Sequence, residues 1–141
     1  MERRCILRVL KPLGLPPVTG RASARSKGAQ GERLAEQWLR RRLKAEILER
    51  NFRSPFGEID FVARKGEILL FVEVKTRRSL ETGLPEEAVT EEKKERLRKC
   101  ALSYLAQRGY HPEMTLFRFD VIAVYVSPSG KASIRHYPSA F

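Results

Sequence analysis

The sequence predicts an α/β sandwich around a mixed β-sheet, with elements in the order α-β-β-β-α-β-β. Three observations predict it. Two amphipathic stretches, near residues 29–44 and after Thr90, have helical spacing. Three extended segments between them are rich in β-branched and aromatic residues. A long apolar run, Leu116–Val126, follows the second helix and reads as a buried strand.

In the first helix, Leu34, Ala35, Trp38, Leu39 and Leu43 form the apolar stripe, with Arg40, Arg41, Arg42 and Lys44 mostly between them. The extended segments are Glu46–Arg53, the weakest, then Glu58–Arg64 and Glu67–Lys75. Lys65-Gly66 reads as a tight turn joining the last two into a hairpin. After a loop containing Gly83 and Pro85, Thr90 is placed as an N-cap, with Glu91 and Glu92 suited to a helix N-terminus. Leu97, Ala101, Tyr104 and Leu105 make the stripe of this helix, and Gly109 and Pro112 stop it. A short last strand is expected at Ala132–Tyr137.

At 141 residues the chain fits one ordinary domain. Such a chain buries roughly two-thirds of its unfolded surface, enough for a core without covalent staples. No apolar run approaches the ~20 residues of a membrane helix. Cys5 and Cys100 are far apart and lack nearby histidine ligands. That argues against a disulfide scaffold or structural zinc site, and for a reducing, cytoplasmic compartment.

The formal net charge is +11. Such an excess points to a polyanionic partner, nucleic acid before an acidic membrane surface. Residues 1–27 carry seven bases and one acid among several prolines and glycines, and read as a basic, flexible N-terminal arm before a domain at residues 28–141. The arm lacks the continuous apolar stretch of a secretory signal. Its composition is shared by organelle transit peptides and by extensions with no function.

The hairpin carries the chemistry. A turn at Lys65-Gly66 pairs Arg64 with Glu67, which sets Asp60 opposite Phe71 and Glu58 opposite Glu73. Side chains alternate along a strand, so Glu58, Asp60, Glu73 and Lys75 project from one face. Ile59, Phe61, Ala63, Leu70, Val72 and Val74 fill the other. Asp60 and Glu73 become diagonal neighbours, roughly 7–8 Å apart at Cα. Two carboxylates at that range can share a divalent cation, and Mg²⁺ suits few carboxylates plus waters that a phosphate can replace. Lys75 on the same face could orient an attacking water. The competing reading is a solvent-facing side with ordinary ion pairs. Against it, Val62, Leu69 and Phe71 share the face, and acids among apolar residues need a partner.

Basic residues flank this constellation. Arg77 and Arg78 follow Lys75, while Lys93 and Lys94 belong to a cluster on the second helix. Arg53 precedes the Ser54–Gly57 turn. Each could contact phosphates, positioning a nucleic acid without reading its sequence. The helix cluster could also be a solvated face, since Glu91, Glu92 and Glu95 offset part of it. Phe56 is a candidate for stacking on an exposed base. Trp38 and Tyr104 read as core and Cys100 as a small helix residue. No role is assigned to His111 or His136, and no partner to Asp120.

The string GEIDFVARKGEILLFVEVKTR resembles the active-site region of the PD-(D/E)XK nuclease superfamily. Residues 28–141 resemble the YraN-like family of bacterial proteins, which is similar to archaeal Holliday junction resolvases. GERLAEQWL, NFRSPFGEID, FVEVKTRRS, AVTEEKKERLRKCALSYL and FRFDVIAV carry the match. The resemblance implies a restriction-endonuclease-like three-layer sandwich. Asp60 matches the first-motif aspartate, Glu73 and Lys75 the ExK pair, and Glu32 the extra helical glutamate of the resolvase-like branch. In this family the proline of the motif is absent, as it often is elsewhere in the superfamily, and Ile59 stands in its place.

By itself, Glu32 lies near the line of Ala35 and Leu39, so it can point inward or simply complement the helix dipole. The resemblance implies a metal-dependent endodeoxyribonuclease. Asp60, Glu73 and Glu32 would hold Mg²⁺ or Mn²⁺, Lys75 would assist water, and the substrate would be DNA, branched or junction DNA included. Resolvases cut two strands symmetrically, which suggests a homodimer. The alternative is a non-catalytic nucleic-acid-binding module with the same fold.

Overall fold

A computed structural model describes residues 26–77 and 89–141. The proposed arm at 1–27, all but its last two residues, lies outside the described residues, as do Arg78 and the loop with Gly83 and Pro85. The elements are α1 (Ser26–Arg41), β1 (Glu46–Ser54), β2 (Gly57–Lys65), β3 (Ile68–Arg77), α2 (Glu91–Gln107), β4 (Phe117–Val126) and β5 (Ala132–Tyr137). The strands form one mixed sheet in the order β1-β2-β3-β4-β5. β3 and β4 are parallel, joined through α2, and the other neighbours are antiparallel. This is the expected α/β sandwich, compatible with a restriction-endonuclease-like fold. No helix among the described residues is long and apolar enough to cross a membrane.

Each face of the sheet buries a separate core. Ala35 and Leu39 of α1 pack on Phe61, Ala63, Leu70, Val72, Ile122 and Val124. Leu97, Cys100, Ala101, Tyr104 and Leu105 of α2 pack on Val62, Leu69, Phe71 and Val121. β3 divides its residues between the two cores by simple alternation. Phe71 is the aromatic hub of the α2 side, with Tyr104, Phe117 and Phe119 at ring centroid distances of 5.5–5.7 Å.

α1 starts three residues earlier than its apolar stripe implies and stops at Arg41. Lys44, at φ 58°, turns the chain into β1, while Ala45 N–H donates to Leu39 O at 2.9 Å. At α2 the cap is the expected one: Thr90 Oγ1 accepts from Lys93 N at 3.2 Å.

The β2–β3 turn corrects the expected register. Lys65 pairs with Ile68 and Phe61 with Val72, so the turn residues are Gly66-Glu67 rather than Lys65-Gly66. Gly66 takes φ 60° at the first central position, which in the expected turn would fall to Lys65. Each β2 residue is thereby displaced by two along β3. An even displacement keeps every side chain on its face. It moves Asp60 from the level of Phe71 to that of Glu73.

A second correction concerns Ile59. It joins Phe52 and Val62 on the α2 side, whereas Phe61 and Ala63 face α1. The alternation therefore breaks at Asp60. β1 breaks at the same level: Glu49 reaches Arg108 at the end of α2, Arg50 reaches Glu36 of α1, and Phe52 is back on the α2 side. Between them stands Asn51, at φ 52°.

Asp120, without an assigned partner from sequence, is fully buried and fully used. It accepts from Arg118 (2.9 and 3.1 Å) and Ser139 N (3.1 Å), and lies 2.7 Å from His136 Nε2. Burial alone would raise its carboxyl; His136 and Arg118 outweigh that and hold it below the ordinary range. The cluster ties the segment after β5 to β4.

α1 meets the sheet through one close approach. A Cβ on Gly31 would lie 2.0 Å from Thr76 Oγ1 and 3.2 Å from its Cβ. Gly31→Ala therefore has to displace the first turns of α1 or the end of β3. Overpacking of this kind costs about 1–3 kcal/mol. Thermal unfolding should show Gly31→Ala below the parent, and Gly31→Ala with Thr76→Ala above the single variant, the remaining Thr76 Cβ contact at 3.2 Å keeping it short of full recovery. Additive losses in the double variant would contradict this contact.

Candidate functional site

The acidic residues meet where β2 begins and β3 ends. The registered β2–β3 ladder stops at Phe61–Val72. One residue on, the Asp60 side chain replaces the strand as acceptor: Oδ2 takes Val74 N–H at 2.8 Å. The local break in alternation leaves Asp60 facing a cleft instead of either core. Glu73, across from it, is 8% exposed and lines the same cleft, of about 790 Å³. Glu32 reaches the cleft from the N-terminal part of α1, next to the Gly31–Thr76 approach. Glu58 also lines it. Of the expected one-face group, Glu58, Asp60 and Glu73 line this cleft and Lys75 does not, and Asp60 and Glu73 are level rather than diagonal.

Two of these acids are raised, Asp60 and Glu32. Desolvation first, and then the Glu73 charge, push the Asp60 carboxyl well above its ordinary value; the Val74 N–H offsets this only in part. Glu32 is raised by burial and then by Glu58 and Glu73.

Two lysines answer the Glu73 charge. Lys93 of α2 places Nζ 2.6 Å from Glu73 Oε1, and Lys75 Nζ lies 3.4 Å from the same oxygen. Burial would lower Lys93, but Glu73 outweighs it and leaves this ammonium more basic than usual. Burial, helped by Lys93, leaves Lys75 less basic.

The candidate phosphate contacts divide. Arg53, exposed and 3.6 Å from Glu58 Oε2, lines the cleft, as does Lys93. Lys94 turns to Glu91 (3.0 Å) and lies over the Phe141 ring at 5.9 Å. Arg77 has a buried Nε without a hydrogen-bond partner among the described residues. Phe56, 46% exposed, stands at the cleft rim with Lys99 Nζ 5.9 Å from its ring centroid. Cys100 is buried against the β1–β2 turn, accepting from Ser54 Oγ at 3.2 Å. Its thiol is raised by burial, which suits packing and not nucleophilic attack.

Sequence reasoning missed Asn51, which lines the cleft beside Glu32 and Asp60. Asn is depleted in strands, so an Asn inside Glu46–Arg53 was the available signal. Arg96 of α2 also reaches the cleft.

The donor set suits a cation that needs few protein ligands. Among the described residues, no three His, Cys, Asp or Glu side chains converge tightly enough to hold a metal by themselves. Mg²⁺ is commonly held by one or two carboxylates plus waters and substrate phosphates. Asp60 and Glu73 fit that pattern, and their mutual repulsion is what a divalent cation relieves.

The sequence pattern of "Uncharacterised protein family UPF0102" matches residues 31–124. A UPF0102 protein of Beutenbergia cavernae is 50% identical over 109 residues, covering 77% of this chain and 90% of its own. One from Rhodococcus jostii is 44% identical over 114 residues, covering 81% and 94%. One from Syntrophomonas wolfei is 46% identical over 118 residues, covering 83% and 98%.

The Asp60 environment has a pH consequence. Its folded carboxyl keeps the proton above the ordinary aspartate value of 3.8. The folded chain then binds more protons than the unfolded one, so stability is lost as pH rises from that value through the folded one. With divalent cations chelated, melting temperature should fall over that window. Asp60→Asn, whose amide oxygen can still accept from Val74 N, should melt higher than the parent near neutral pH and show a shallower fall. Parallel curves for the two proteins would refute the repulsive pair.

Proposed function

The chain belongs to the UPF0102 family, a PD-(D/E)XK nuclease-like family, and from that premise we propose that it is a Mg²⁺-dependent endonuclease acting on DNA, branched or junction DNA included. The observation that carries the reading is the meeting of Asp60 and Glu73 in one cleft, with Lys75 and Lys93 at Glu73. Asp60 and Glu73 would hold the metal, with Glu32 adding negative charge beside them. When bound, the cation would supply Lewis-acid polarisation of a phosphate oxygen and an acidified water.

The remaining work falls to the chain. Lys75, 3.4 Å from Glu73 Oε1, would orient the attacking water through its ammonium. That water forms a new P–O bond and releases a proton to solvent, the bond from phosphorus to the leaving sugar oxygen breaks, and the sugar oxygen takes up a proton from solvent. Lys93 would exchange Glu73 for a phosphate oxygen as substrate enters. Arg53 and Arg96 would hold neighbouring phosphates. Cutting two strands symmetrically calls for two copies of the site, hence the expected homodimer.

One observation favours the non-catalytic alternative, a nucleic-acid-binding module: Lys93 already neutralises Glu73 at 2.6 Å. Calorimetry separates the two. Mg²⁺ or Mn²⁺ uptake that disappears in Glu73→Gln supports the nuclease; salt-sensitive DNA binding without such uptake supports the module.

Purified protein should cleave branched, nicked or linear DNA in Mg²⁺ or Mn²⁺. Asp60→Ala and Glu73→Ala should lose at least about 10²-fold in rate, on the scale of losing a preorganised electrostatic group. Lys75→Met should lose rate while still taking up the metal. Product formation equal in parent and both alanine variants would end the catalytic reading.

A further inference from the structure

Asn51 occupies a backbone conformation that a strand does not ask for. At φ 52° it lies in the left-handed region, inside β1, at the level of Asp60. Both strands reverse their alternation here, so that Phe52 and Ile59 stay together in the α2-side core while Asp60 leaves the ladder. Pairing stays one-to-one across Asn51 and Asp60, the β1–β2 register shift lying between Ile47 and Glu49, so the reversal re-aims both side chains without adding a residue. Glycine would take this φ at lower cost. Asparagine is among the side-chain-bearing residues that take this φ most readily, so the backbone accounts for Gly or Asn here and a role for the amide has to come from its surroundings.

Its surroundings supply one. Asn51 is half-buried and lines the main cleft. It also lines a smaller cavity of about 400 Å³, formed with Arg33, Glu36, Arg50 and Phe61. Ala29, Glu32 and Asn51 are common to both, so Asn51 stands where the two meet. Among the described residues its amide has no hydrogen-bond partner. The nearby acids already determine what kind of donor can remain available. A cation in this wall would be drawn to a carboxylate, as Lys93 is to Glu73 and Arg50 to Glu36. A neutral amide keeps its N–H donors free while presenting no charge to the acids.

We propose that Asn51 is a substrate-contacting residue, its side-chain amide donating to a phosphodiester oxygen of nucleic acid bound in the Asp60–Glu73 cleft. The inference rests on the nuclease reading and adds a positional determinant to it. Asn51 would fix the strand on the Glu32 side of the cleft, while Arg53 and Arg96 supply charge further out. Backbone and side chain thus have separate roles: the left-handed turn frees Asp60, and the amide holds the phosphate.

The two roles separate by substitution. Asn51→Gly keeps the left-handed backbone without strain and removes the amide; Asn51→Ala removes the amide and strains the backbone. Three readings are compared for parent and variants: thermal melting, affinity for a short DNA duplex in Ca²⁺, and cleavage of DNA in Mg²⁺. Asn51→Gly should melt at or above the parent yet lose roughly tenfold in affinity or in kcat/KM, the scale of one hydrogen bond to a charged group. Asn51→Ala should lose melting temperature as well. If Asn51→Gly binds and cleaves like a competent parent, the amide does nothing and the inference is wrong, while the nuclease reading stands. If the parent neither binds nor cleaves, the reading beneath it fails and the inference falls with it.

Discussion

Repulsion between two inward-facing carboxylates organises this end of the molecule. Glu73 is held between Val72 and Val74 and beside Val121 of β4, and Asp60 faces it one residue beyond the last rung of the β2–β3 ladder. Neither acid can be hydrated as it would be at an open surface, and neither can leave without breaking strand structure. The chain answers with fixed partners: Val74 N–H on Asp60, and Lys93 and Lys75 on Glu73. The partners are unequally shared. Two ammonium groups serve Glu73, while Asp60 receives one backbone donor and stays raised. A group so placed is costly for a scaffold and useful for holding a cation or a proton.

The rest of the fold delivers parts to this spot. α1 comes close enough through Gly31 to set Glu32 at the cleft. α2, fixed by its Thr90 cap and by its packing on Phe71, carries Lys93 to Glu73. The β1–β2 turn presents Arg53 and Phe56 at the rim. The ion pairs elsewhere have local duties. Glu49 with Arg108 fastens the end of α2 to β1, and Asp120 with Arg118 and His136 fastens the segment after β5. Both carboxylates are buried and are met by close partners, which is the condition for tolerating charge inside a protein.

Much of this was legible in the chain. Period-two alternation along EIDFVAR and EILLFVEVK placed Asp60, Glu73 and Lys75 on one face, and the resemblance identified Glu32. The detail of the turn was not, because Lys65-Gly66 and Gly66-Glu67 are both two-residue turns with the same parity. The choice follows from which residue has to take the positive φ. Ile59 faces the core opposite to the expected one, and Asn51 has no place in the sequence reading, for a related reason: a strand that flips in mid-course defeats any rule of strict alternation. The partner of Asp120 was invisible because His136 and Ser139 reach it through tertiary folding, across 16 and 19 positions of sequence. Lys93 sits 20 residues beyond Glu73, so its capture by that acid has no local signature either.

The central claim is that the Asp60–Glu73 pair is built to be bridged by a divalent cation. Crystals grown without metal and soaked in Mn²⁺ examine it by anomalous scattering at the manganese edge. The account predicts a peak bonded to oxygens of both Asp60 and Glu73, with the Lys93 ammonium displaced from Glu73. A fully soaked crystal with no peak there, and Lys93 still seated on Glu73, would contradict it.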